Sequence, residues 1–204
     1  LHLLLLLLLL LPAATTALSF KPPKISAEEQ GSSSVPSRLK CDACGAVAYQ
    51  LNEALLRAES LLPRSPHSPG SPRGPPRLRE TALYETLERA CAARAFSQYG
   101  IKEVAGQNRL SGAGLAADAA AGMLYGGGRW PSRLVDLCHR VAGELGEDEL
   151  YARFRGSAVV SAGGGGGGGG MLARLTSFAS RVCLDEDVAM CGSEAALAEL
   201  LGIG

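Results

Sequence analysis

Cys41, Cys44, Cys91, Cys138, Cys183 and Cys191 are the residues of this 204-residue chain whose type and spacing offer the most chemistry. Three chemistries are open to them. An even count in an oxidising compartment reads as a disulfide framework. The nested pairing Cys41–Cys191, Cys44–Cys183 and Cys91–Cys138 would join the ends of the chain and clamp its centre, but six cysteines admit fifteen pairings and spacing does not choose among them. The second chemistry is thiol exchange. Cys41-Asp42-Ala43-Cys44 is a Cys-x-x-Cys at a predicted helix start, where the helix dipole favours a thiolate. No βαβ pattern surrounds it, however, and the charge of Asp42 opposes a thiolate. The third is zinc, for which a single Cys-x-x-Cys, a distant Cys183/Cys191 pair and His139 beside Cys138 lack compact ligand spacing. The structural reading is the one adopted.

Other chemistry is thin. His2 lies in a leucine run, His67 in a proline-rich stretch, and His139 one residue off a predicted buried stripe, so no base is positioned for Ser/His/Asp catalysis. Gly126 to Gly128 and the octaglycine tract lack the Gly-x-x-x-x-Gly-Lys-Ser/Thr order that cradles phosphate. Glu144/Glu147 and Asp185/Glu186/Asp187 are acidic groups without an EF-hand loop, and a solvated acidic face is the simpler reading. No enzyme activity, catalytic residue, cofactor or metal is expected.

Charge also limits the partners. Lys+Arg 20 against Asp+Glu 20 gives no electrostatic case for nucleic acid or an anionic membrane. The basic cluster at Arg73, Arg77 and Arg79 sits in a Pro/Ser stretch and reads as solvated. Neither Asn52 nor Asn108 begins an Asn-x-Ser/Thr sequence, so no N-glycan is expected.

The elements that must position the cysteines follow from apolar periodicity. Cys41, Cys44, Val47, Ala48, Leu51, Leu55, Ala58 and Leu62 recur at helical spacing and predict a first helix ending before Pro63. A second is predicted from Thr81, through Leu83, Leu87 and Cys91, to a stop at Tyr99-Gly100. Residues 101–129, rich in Gly and Ala, read as loop with a helical turn near 115–124. Trp130-Pro131 opens a third helix carrying Leu134, Cys138, Val141 and Leu145, because proline is tolerated in a first turn. Gly146 interrupts, and Glu147-Asp148-Glu149 suits the start of another segment. A last helix runs from Met171 to Cys183, followed by a short tail. No period-2 run of β-branched residues is present, so the fold class is all-α.

The organisation is then a signal peptide at 1–17, a disordered lead-in at 18–39, and one helical domain at 40–201 with flexible inserts at 63–77 and 163–170. The leucine run at 3–11 is shorter than the roughly 20 residues needed to span a bilayer, and cleavage is expected after Ala17. No transmembrane segment is expected.

Five blocks carry a family resemblance: residues 41–50 (Cys-Asp-Ala-Cys-Gly-Ala-Val-Ala-Tyr-Gln), 99–104 (Tyr-Gly-Ile-Lys-Glu-Val), 109–115 (Arg-Leu-Ser-Gly-Ala-Gly-Leu), 130–134 (Trp-Pro-Ser-Arg-Leu) and 143–151 (Gly-Glu-Leu-Gly-Glu-Asp-Glu-Leu-Tyr). In this order they resemble the marginal-zone B-cell-specific, or plasma-cell-induced resident endoplasmic reticulum, protein family, which is related to the canopy group and has a saposin-type cysteine pattern. The resemblance implies a saposin-like, disulfide-stapled helical fold and the nested pairing of Cys41 with Cys191, Cys44 with Cys183 and Cys91 with Cys138. It implies a co-chaperone of the endoplasmic reticulum lumen, with secretion as the other destination. Its partners would be immunoglobulin heavy and light chains and resident chaperones. Its work would be IgM assembly and secretion, with effects on calcium homeostasis and integrin activation in B cells. The alternatives are a thiol-disulfide oxidoreductase using Cys41 and Cys44, or a saposin-like lipid binder. Where the family carries a Lys-Asp-Glu-Leu-type retrieval signal, the sequence reads Glu199-Leu-Leu-Gly-Ile-Gly204.

Overall fold

The computed structural model describes residues 22–63, 76–161 and 169–202. The expected signal peptide and most of both expected flexible inserts lie outside the described residues. Helices dominate: α1 (Ala27–Gly31), α2 (Lys40–Ser60), α3 (Glu80–Ala90), α4 (Ala116–Ala119), α5 (Trp130–Leu145), α6 (Glu147–Ser161), α7 (Gly169–Cys183) and α8 (Glu194–Leu200). A three-stranded antiparallel sheet of order β2-β1-β3 is built from β1 (Gly100–Val104), β2 (Gln107–Ser111) and β3 (Tyr125–Gly126).

The centre of the molecule is α2. From Asp42 to Ala48 every residue is buried, so this half of the helix is covered all round rather than along one stripe. Its small side chains permit that approach. A Cβ on Gly45 would stand 2.5 Å from the Leu200 side chain of α8, which packs there. Around α2 lie α3, α5, α7 and α8. The pair α6 and α7 packs through Phe154 and Phe178, whose rings meet edge to face at 5.8 Å, with the Arg174 guanidinium 4.0 Å from the Phe154 centroid.

Local chemistry explains the boundaries. Pro131 occupies the first turn of α5, and Gly146, at φ 77°, makes the break between α5 and α6. Glu147, Asp148 and Glu149 then fill the first turn of α6, at the positive end of its dipole. Ser193 caps α8 by accepting the Ala196 N–H at 3.2 Å.

Four local expectations need correction. Residues 101–129 are not mostly loop: β1 and β2 form a hairpin whose two-residue turn, Ala105-Gly106, has φ 49° and 79°. The second helix stops at Ala90 and gives way to a 3₁₀ turn at Ala93–Phe96. The tail after Cys191 contains α8, which buries Leu197 and Leu200. Finally, the described part of the lead-in, residues 22–39, is folded. Polar composition misreads it because its carboxylate is paired. Ser26 and Glu29 form a capping box, and Glu29, 2% exposed, accepts hydrogen bonds from Asn108 and Arg38.

Candidate functional site

The six cysteines form three disulfides: Cys41–Cys191, Cys44–Cys183 and Cys91–Cys138, with Cα separations of 4.6, 5.8 and 5.4 Å. The two cysteines of Cys-x-x-Cys therefore bond to different partners. One ties the first turn of α2 to the end of α7, the other to the loop beyond it. That loop is tight, since the Met190 and Cys191 N–H groups both donate to the Cys183 carbonyl, at 3.2 and 3.0 Å. Cys44, Cys183, Cys91 and Cys138 are buried, whereas Cys41 and Cys191 are partly accessible.

Between the two cysteines stands a residue with a separate task. Asp42 accepts Arg109 Nε at 2.9 Å, Arg109 Nη2 at 3.1 Å and the Leu110 N–H at 2.9 Å. This fork pins β2 to the start of α2. The hydrogen bonds that Arg109 donates to Asp42 raise its pKa against the opposing effect of burial.

The remaining titratable candidates are dispersed. His139 is exposed on α5, and Glu144 is exposed near its end. Asp185 pairs with Arg153 Nη1 at 2.6 Å and accepts the Asp187 N–H at 3.0 Å. The Arg153 hydrogen bond holds its carboxyl below the usual range. Its charge is engaged in fixing the end of α7. Arg77 and Arg79 are exposed in the segment leading into α3.

The sequence reading missed a cavity of 390 Å³ between α2, α7 and the loop after β2. Tyr49, Asn52 and Glu53 line it from α2, Leu115 from the loop, and Met171 and Leu172 from α7. Gly114 closes one side with its backbone against the Tyr49 ring, where a Cβ would stand at 2.2 Å. Burial, and secondarily the Glu53 charge, pushes the Tyr49 phenol up. The available signal was an Asn on an otherwise apolar helix face, one turn from the Leu55 position.

No protein-family model matches the chain. Over 141 residues it is 37% identical to the marginal zone B- and B1-cell-specific protein of Rattus norvegicus, covering 68% of this chain and 72% of that protein. The protein of the same name from Homo sapiens is 38% identical over 131 residues, 63% of this chain and 66% of its own length. That from Mus musculus is 35% identical over 141 residues, 68% and 72% of the respective chains. With a fold of disulfide-stapled helices and this identity over two thirds of its length, the chain belongs to the family of marginal zone B- and B1-cell-specific proteins.

Proposed function

We propose that the protein is a non-enzymatic co-chaperone of the endoplasmic reticulum lumen that assists immunoglobulin heavy and light chains, together with resident chaperones, in IgM assembly and secretion. Effects on calcium homeostasis and integrin activation would follow from that work in B cells. The observation that carries this reading is family membership: identity of 37% over 141 residues with a B-cell protein. The disulfides support the non-enzymatic part, because Cys41 and Cys44 each serve a different long-range bond. Deleting the gene in IgM-secreting cells and restoring it provides the test. Secreted IgM polymer should fall and recover, and unchanged assembly would overturn the reading.

A thiol oxidoreductase is the second reading, favoured by one observation: Cys41–Cys191 is partly accessible at the amino end of α2. Reduction of an insulin substrate that is lost in Cys41→Ala while the fold persists would establish it.

A further inference from the structure

We propose that the cavity between α2, α7 and the loop after β2 binds an extended apolar segment of an unfolded polypeptide, with one side chain entering the cavity and the N–H and C=O of a flanking residue pairing with Asn52. The inference rests on the co-chaperone reading and gives it a client site. It starts from an unpaired amide. Asn52 is fully buried and lines the cavity, yet among the described residues neither its Nδ2 nor its Oδ1 has a hydrogen-bond partner. Oε1 of Glu53, one residue on and lining the same cavity, is also buried without a partner. Buried donors and acceptors without partners are costly and therefore rare, so three of them on two adjacent residues that line one cavity mark a place where a ligand supplies them.

The donor and acceptor set selects the ligand. An amide side chain presents donor and acceptor side by side, which match the N–H and C=O that one extended residue turns to the same side, while Glu53 accepts a second N–H. An acyl chain satisfies none of these atoms. The walls supply the complementary apolar part, with Leu115, Leu175 and Leu201 buried around the cavity. Met171 and Leu172 stand at its edge, 54% and 41% exposed. A methionine at the rim adapts to varied side chains. The volume of 390 Å³ falls within the roughly 300–1,000 Å³ of ligand sites.

The test uses the full disulfide-bonded chain and a dansyl-labelled, acetylated and amidated hexapeptide of alternating leucine and serine, read by fluorescence anisotropy. The peptide should bind, and its backbone N-methylated form should bind at least about tenfold more weakly. Asn52→Leu should weaken the parent peptide by a similar factor without lowering the thermal midpoint, since it removes an unpaired amide. If Asn52→Leu does not fold, Leu172→Glu at the exposed rim replaces it and should likewise weaken binding at least about tenfold. Equal binding of the parent and N-methylated peptides would overturn the proposal, as would parent binding unaffected by the two variants. Sodium oleate that binds regardless of Asn52, with no peptide bound, would show a lipid pocket instead, and binding of neither would show a water-filled cavity. The two readings fail separately. Normal IgM secretion in deleted cells would sink only the co-chaperone role, whereas peptide binding independent of Asn52 and Leu172 would sink only the client site.

Discussion

The Asn108 amide in β2 donates to both carboxylate oxygens of Glu29 in α1, at 3.0 and 3.1 Å, across 79 residues of chain. The same Nδ2 donates to the Lys24 carbonyl at 2.8 Å, so one side chain holds the lead-in at two points. Glu29→Ala should therefore release residues 22–39 and cost about 2 kcal/mol, the scale of hydrogen bonds to a charged group. Chemical denaturation measures the loss, and trypsin should gain access at Lys24. Unchanged stability would mean that the lead-in docks without Glu29.

The same carboxylate sets an acid limit. Burial raises the Glu29 pKa, but hydrogen bonds from the Ser26 N–H, Asn108, the Ser26 hydroxyl and Arg38 outweigh it, and the pKa is lowered from 4.5. A lowered carboxylate pKa stabilises the fold fully above 4.5, and that contribution is lost as pH falls through the lowered value. A pH titration of stability should show wild type losing its advantage over Glu29→Gln below this range. A constant difference at all acidic pH values would refute the assignment.

Arg133 holds the lead-in from the other side. It is 1% exposed and donates Nη1 to the Glu29 carbonyl at 2.8 Å, Nε to the Ser32 carbonyl at 3.0 Å and Nη2 to the same oxygen, with its guanidinium 4.7 Å from the Trp130 ring centroid. Lysine keeps the charge but lacks the planar fork. Arg133→Lys should cost about 2 kcal/mol and loosen the lead-in as Glu29→Ala does, a result that hydrogen exchange at residues 27–34 would report.

Much of the helical frame was legible because its signals are local. Leu134, Cys138 and Val141 repeat at helical spacing, Pro131 and Gly146 mark ends, and all sit where the period places them. The hairpin was not legible, since β1 and β2 are five residues each and bury only Ile101 and Leu110 among large apolar side chains. Nor was the lead-in. Its order comes largely from Asn108 and Arg133, partners that no window along the sequence brings near Glu29. For the candidate site, the cysteines announced themselves by type, but the cavity did not. In the sequence Asn52 is a polar residue outside any glycosylation pattern, and the cavity it lines depends on α7 and Leu201 arriving from far along the chain.

The three disulfides should reduce in order of exposure. Cys41–Cys191 is partly accessible and the other two are buried, so dithiothreitol should open it first under native conditions. Mass-spectrometric mapping of alkylated thiols gives the order, and early reduction of Cys91–Cys138 would contradict it. Replacing both Cys91 and Cys138 by alanine should cost about 2–4 kcal/mol, because that bond closes a 47-residue separation in the unfolded chain.

The turn of the hairpin allows a stabilising substitution. Ala105 and Gly106 both have positive φ, 49° and 79°, as a two-residue type I′ turn requires. Glycine adopts this region freely, but alanine pays roughly 1–2 kcal/mol for it, whereas asparagine is tolerated there through local hydrogen bonding. Ala105 is exposed, so a larger polar side chain meets no packing penalty. Ala105→Asn creates an Asn-Gly turn and should raise stability by about 0.5–1 kcal/mol, read as a higher denaturation midpoint with an unchanged slope. Gly106→Ala is the counterpart: a Cβ there meets nothing within 4 Å, so its expected loss of about 1 kcal/mol isolates backbone strain from steric overlap. Gly114→Ala adds that overlap, since its φ is 83° and its Cβ would lie 2.2 Å from the Tyr49 ring. It should cost at least about 2 kcal/mol. Equal losses for Gly106→Ala and Gly114→Ala would show that the Tyr49 ring yields freely, and that the wall it forms with Gly114 is soft.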